Sequence, residues 1–195
     1  MKITITLLII ALFYAVFVLV CPIKRISLPE GNLEWSTQRP TNAKLCVPAA
    51  FTTEEGEIFG AYTIDGVQKN SSNGKVVVSL KGNSFIMYRK WKSDCGFQQY
   101  PLVYDNKTIK FKDKRRFVRR ALCKDKSGKA FLLESRYPMT LNDFAVYCKK
   151  QATNAVYLDM GSFGFGYYKK YGITIPLSLW ACYNAKKQTN WLYVK

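Results

Sequence analysis

Short apolar runs separated by turn dipeptides fill the chain from residue 45 to the C-terminus, and this cadence constrains the fold more than any other feature. Runs of four to eight residues stand at Leu45–Phe51, Glu57–Ile64, Lys75–Leu80, Ser84–Arg89, Thr108–Phe111, Phe117–Cys123, Ala130–Glu134, Ala155–Leu158, Leu177–Cys182 and Trp191–Val194. Their length and their Val, Ile, Tyr and Phe content predict strands. Glu55-Gly56, Asp65-Gly66, Asn73-Gly74, Gly82-Asn83 and Ser127-Gly128 punctuate them as turns, and the last predicts a hairpin joining Phe117–Cys123 to Ala130–Glu134. One segment breaks the pattern. Leu141–Gln151 carries Leu141, Phe144, Ala145 and Cys148 at helical spacing, behind Thr140 as N-cap and Asp143 at the third helical position. Met139 and Phe144 are placed as a hydrophobic staple, and Lys149 and Lys150 suit the negative end of the helix dipole. The expected architecture is α+β: a single sheet-dominated domain over 45–195 with at least one packed helix.

Ahead of that domain, Ile3 to Cys21 holds no charged residue, and Thr4 and Thr6 are its only polar side chains. As a helix it would be about 28 Å long, close to the thickness of a hydrocarbon core. Residues 1–22 therefore read as an N-terminal apolar transmembrane or signal segment, either an uncleaved anchor or an export signal. Bulky Val20 before Cys21 is a poor cleavage site, and it argues equally against lipidation of Cys21. Residues 23–44, with Pro29, Gly31 and Pro40 among polar neighbours, read as a tether. The expected location is membrane-anchored or secreted, with the body outside the cytoplasm.

The chain has no histidine, which removes Ser-His-Asp and Cys-His couples, HExxH zinc sites and imidazole proton shuttles. Catalysis would have to run on carboxylates, Lys, Tyr, Cys or Ser. Cys46, Cys95, Cys123, Cys148 and Cys182 never approach CxxC spacing, so no metal site is expected, and no cofactor motif is present. Cys46 and Cys123 lie on strand-like stretches and read either as a pair or as two buried thiols.

Candidate chemistry gathers late in the chain. Asp159 ends the run Ala155–Leu158 and enters Met160-Gly161-Ser162, where a carboxylate can face a cleft and backbone N–H groups can approach a ligand. The alternative is that Asp159 only caps a tight turn. Glu134-Ser135-Arg136 ends another run just before the capped helix. Arg119 and Arg120 are consecutive in a strand, so they point to opposite faces, and one on an inner face could bind an oxyanion bidentately. Two arginines on an exposed edge would fit the same pattern.

These runs together resemble a known family. Lys129–Arg136, then Met139–Ala145, then Asn154–Ser162 is similar to the phosphodiester glycosidase domain family, in which a strand ending in an acidic-Gly-Arg run precedes a Thr-Leu helix and a strand ending in Leu-Asp-Gly-Gly-Gly-Ser. Val47–Phe51 with Gly56 and Gly60 resembles the family's Asn-Gly-Gly-Phe-Phe segment, Arg120-Ala-Leu its Arg-Thr-Ala strand, and Thr189-Asn190-Trp191 the close of its exported bacterial branch. The resemblance implies hydrolysis of a sugar-1-phosphodiester, with Asp159 and Glu134 as catalytic carboxylates and Arg120, Arg136, Gly161, Ser162 and Asn190 on the substrate. Three departures stand out. Pro48-Ala49-Ala50 replaces Asn-Gly-Gly, Met160 replaces the first glycine of the triplet, and Glu134 replaces Asp. They imply either a branch with an altered substrate or a fold kept without its activity, serving as a membrane-tethered glycan-binding or structural protein.

The net charge of +17 fits that setting. Lys110, Lys112, Lys114, Arg115, Arg116, Arg119 and Arg120 form a dense stretch with Phe111 and Phe117 interleaved. No nucleic-acid motif accompanies them, so nucleic acid is not an expected partner. A glycan or phosphate-bearing envelope polymer is, together with the membrane reached through the N-terminal segment. A solvated basic face is the plainer reading, and nothing in the pattern selects an oligomeric state.

Overall fold

The structure is a computed structural model and describes residues 21–64, 66–71, 75–91, 96–160, 166–177 and 188–195. In chain order its strands are β1 (Ile23–Ser27), β2 (Leu33–Ser36), β3 (Leu45–Pro48), β4 (Tyr62–Ile64), β5 (Val67–Lys69), β6 (Val76–Lys81), β7 (Ser84–Tyr88) and β8 (Gly96–Gln99), then β9 (Pro101–Tyr104), β10 (Lys107–Thr108), β11 (Arg120–Lys124) and β12 (Ala130–Ser135). Helix α1 (Leu141–Gln151) follows, then β13 (Asn154–Leu158), β14 (Tyr167–Lys170), β15 (Ile173–Pro176) and β16 (Trp191–Val194).

They form three antiparallel sheets. A six-stranded sheet runs β1-β12-β11-β13-β9-β10, a second runs β15-β14-β3-β16-β2, and a third runs β5-β4-β8-β6-β7. Two corrections follow to the expected α+β, single sheet-dominated domain led by a transmembrane or signal segment. The described residues hold one helix and three separate antiparallel sheets, whose apolar faces cover one another, a division that the strand-like runs did not reveal. No helix among the described residues is long and apolar enough to cross a membrane, and the expected segment 1–22 lies outside the described residues except for Cys21 and Pro22. The stretch expected as a tether is part of the fold. β1 pairs with β12 from Ile23↔Ser135 to Ser27↔Phe131, and β2 pairs with β16.

The six-stranded sheet is buried on both faces, so its central strands read as unbroken apolar runs. On one face Leu122, Leu132, Val156 and Leu158 join Val47, Leu192, Val78 and Phe97 of the other two sheets in a shared core. On the other face Ala121, Phe131, Leu133, Ala155 and Tyr157 pack against Leu141, Phe144, Ala145 and Cys148 of α1. Phe144 is fully buried, and truncation to Ala there would cost about 3–5 kcal/mol. Cys46 and Cys123 are both free thiols and sit in different clusters, with Cys123 beside Cys148 of α1. Burial raises the Cys123 thiol well above its ordinary value, with the Cys148 thiol adding to the shift.

Local chemistry sets the connections. Thr140 Oγ1 accepts from the Asp143 N–H at 3.1 Å and donates to the Asp143 carboxylate at 2.8 Å, which fixes the start of α1 at the expected residue. Gly82, at φ +58°, turns β6 into β7 through a two-residue loop with Lys81 opposite Ser84. Asp125 accepts from the N–H groups of Ser127 and Lys129 and closes the expected hairpin between β11 and β12.

Candidate functional site

On the helix side of the six-stranded sheet, a cavity of about 590 Å³ opens where β13 ends. Its walls come from Phe51–Glu54 after β3, Tyr100, the connection 111–119, Leu141 at the start of α1, and Tyr157, Asp159 and Met160. Four rings make a continuous apolar side. Phe51 lies 5.4 Å from Tyr157 and 5.6 Å from Tyr100, and Phe111 meets Tyr100 edge-on at 6.3 Å. Edge and tilted contacts of this kind hold aromatic faces at fixed angles, the arrangement that stacks against the apolar face of a flat ligand.

Polar groups sit within that frame. Asp159 is only 3% exposed. One of its carboxylate oxygens accepts from the Thr52 N–H at 3.0 Å, and its own N–H donates to Ala49 O at 3.0 Å. Arg119 is also buried, and its guanidinium donates to Met139 O at 3.2 Å, Tyr157 Oη at 3.3 Å and Arg115 O at 2.8 Å. Burial pushes the Tyr157 phenol up, and the Arg119 charge beside it pulls the other way. At the rim Arg115 pairs with Asp113 at 3.0 Å, and its hydrogen bonds hold the Asp113 carboxyl down at about 2. Lys75 stands behind the aromatic side, its ammonium 4.2 Å from the ring centres of both Tyr100 and Phe59 and 5.3 Å from that of Phe51. Burial lowers its pKa to about 8.

The residues expected from sequence divide between this cavity and the core. Asp159 lines the cavity. Arg120 and Glu134, opposite each other in the β11–β12 register, pair at 2.6 Å and 2.7 Å and point to the inter-sheet face with side chains 0% and 8% exposed. Gly166 packs on that pair: a Cβ there would stand 2.9 Å from Arg120 Nη1 and 2.9 Å from Val47 Cγ1. The structure therefore does not place Glu134 on the cavity as a second carboxylate, nor Arg120 as its cation; strand alternation gives that place to Arg119. Asn190 is fully buried and clamps the backbone of Ala50, accepting from its N–H at 2.6 Å and donating to its carbonyl at 3.1 Å. A further bond to Thr52 Oγ1 at 3.1 Å ties Asn190 to the segment that holds Asp159. Arg136 is exposed, and it does not line the cavity. Gly161 and Ser162 lie outside the described residues.

Sequence reasoning missed the aromatic side, and of the Arg119–Arg120 pair it assigned the site to Arg120 where the cavity holds Arg119. The interleaving of Phe111 and Phe117 with cations was the available signal, and Tyr100 gave none. Among the described residues no three Cys, Asp or Glu side chains group as ligands for a metal ion.

No family model and no curated protein matches the chain. Among solved structures it is similar to the catalytic domain of zebrafish N-acetylglucosamine-1-phosphodiester α-N-acetylglucosaminidase, auto-inhibited by its pro-peptide. The TM-score is 0.59 at 15% identity, over 85% of this chain and 72% of that one. The two share a fold. At that identity the likeness reaches the arrangement of strands, and function has to be argued from the cavity itself.

Proposed function

We propose that the cavity binds a sugar-1-phosphodiester and that the chain hydrolyses it in the manner of a phosphodiester glycosidase. A single observation carries this reading: a buried carboxylate, Asp159, stands on a cavity that also presents five aromatic rings and the Arg119 guanidinium. Aromatic faces suit the C–H face of a sugar, and a guanidinium suits a phosphate. Asp159 accepts a proton from water as the water oxygen bonds to the anomeric carbon. The bond from that carbon to the bridging oxygen breaks, its electron pair staying on the oxygen, and the phosphate leaves as a monoester. Such a leaving group needs little acid assistance, so one carboxylate suffices where ordinary glycosides need two. Arg119 offsets the charge that builds on the phosphate.

A second reading, binding without turnover, is favoured by the closed Arg120–Glu134 pair and by Pro48-Ala49-Ala50 in place of the family's Asn-Gly-Gly. One pair of assays decides between them. Purified chain is given a sugar-1-phosphodiester, and turnover and binding are followed in wild type and in Asp159→Asn. Hydrolysis that falls at least about a hundredfold in the variant, with binding retained, is expected. Binding with no turnover in wild type selects the second reading.

A further inference from the structure

Between β10 and β11 the chain runs without regular structure through 109–119, and it carries Lys110, Lys112, Lys114, Arg115, Arg116 and Arg119 against one acid, Asp113. A run of like charge is ordinarily solvated and loose. This one is fastened at several points. Ile109 N donates to Leu102 O at 2.9 Å, and Asn142 of α1 exchanges two hydrogen bonds with the Phe111 backbone at 2.8 Å and 2.7 Å. Phe117 and Met139 exchange a second pair at 3.2 Å and 2.9 Å, and Arg119 holds the Arg115 carbonyl. The only carboxylate of the segment is engaged by Arg115. Lys110, Lys112, Lys114 and Arg116 are left exposed along this fastened segment; Lys112 and Arg115 line the cavity together with Asp113 and Glu54, and Arg116 lines a neighbouring hollow with Asp143 of α1. Holding like charges together in fixed positions is unfavourable unless an anion meets them, and their summed field draws anions toward the cavity mouth.

We propose that the cavity is one station on a longer anion-binding track, and that the ligand is a polyanionic glycan with repeated sugar-1-phosphodiester links. One link occupies the cavity, and the phosphates of neighbouring repeats lie along 110–116. This deepens the reading of the cavity as a sugar-phosphodiester site and rests on it. Nucleic acid offers the same charge, but the two rings of the segment, Phe111 and Phe117, line the cavity itself, where Arg119 and Asp159 stand, and form no row along the segment for successive bases.

The test uses the full chain and two synthetic glycans, one with a single sugar-1-phosphodiester repeat and one with several, titrated by calorimetry at low and high salt. The longer glycan is expected to bind at least about tenfold more tightly at low salt, and this gain disappears at high salt. Lys110→Gln/Lys114→Gln/Arg116→Gln removes the gain and leaves single-repeat affinity unchanged. Thermal unfolding coincident with wild type shows that the variant is folded, as expected for exposed positions. Equal affinity for both lengths, or a gain that survives the triple substitution, overturns the track and leaves the cavity reading standing. Length-dependent binding without any affinity for the single repeat overturns the cavity reading instead. A DNA oligonucleotide of matched charge that binds as tightly, with the same loss in the variant, overturns the glycan assignment.

Discussion

Arg119 and Arg120 are neighbours in the chain and occupy opposite faces of the six-stranded sheet, both nearly out of reach of solvent. Arg120 meets a carboxylate, Glu134, and the pair is sealed between two sheets under Gly166. Arg119 meets two backbone carbonyls and a phenol, at the edge of a cavity. The comparison separates a charge neutralised within the fold from a charge balanced by dipoles, and only the second has something left to offer an anion. Burial of an arginine is therefore a poor guide to function until its partners are known.

Breaking the sealed side has the largest expected effect. Glu134→Gln leaves the Arg120 charge buried against a neutral amide, and a loss of about 3–5 kcal/mol is expected in urea unfolding. Replacing both partners with apolar residues, Arg120→Met/Glu134→Leu, is expected to change stability far less, in either direction, because no lone charge is left behind. If the single and double variants lose equally, the pair is doing more than neutralising itself.

The cavity side is sharpened through Lys75, whose ammonium is held against the rings of Tyr100, Phe59 and Phe51. Its folded pKa of about 8 lies below the ordinary lysine value of 10.5, so between those values the unfolded chain binds the extra proton. Lys75 then adds stability as pH rises, by at most about 1.4 kcal/mol per pH unit, and lacks that contribution below pH 8. Lys75→Met lacks the rise, so the stability difference between wild type and variant should move in favour of wild type across that window. A difference flat with pH shows that the ammonium is not desolvated there. The smallest effect belongs to the cap of α1, whose first residue lines the cavity. Thr140→Ala is expected to cost about 1 kcal/mol in thermal unfolding. A loss several times larger would mean that the cavity wall depends on this cap.

How much of this was legible depends on how local the cause is. Helix α1 and the β11–β12 hairpin were readable because Thr140, Asp143 and Asp125 act within a few residues of themselves. Strands β1 and β2 were hidden, since Pro29 and Gly31 suggested a tether while the pairing partners lie about a hundred residues or more away at Phe131–Ser135 and Trp191–Val194. Alternation required Arg119 and Arg120 to diverge, but which of them faced the cavity depended on where α1 docks. Asn190 was singled out as a substrate contact. It clamps Ala50 because β16 pairs with β3 in the register Trp191↔Pro48, which no local pattern carries.

The most direct measurement compares hydrolysis of a sugar-1-phosphodiester by Asp159→Asn and by Arg120→Met/Glu134→Leu, each shown by unfolding to be native. The first is expected to lose turnover while still binding, and the second to keep both. Turnover retained in Asp159→Asn and lost in the double variant would contradict it, and would move the chemistry to the sealed face of the sheet.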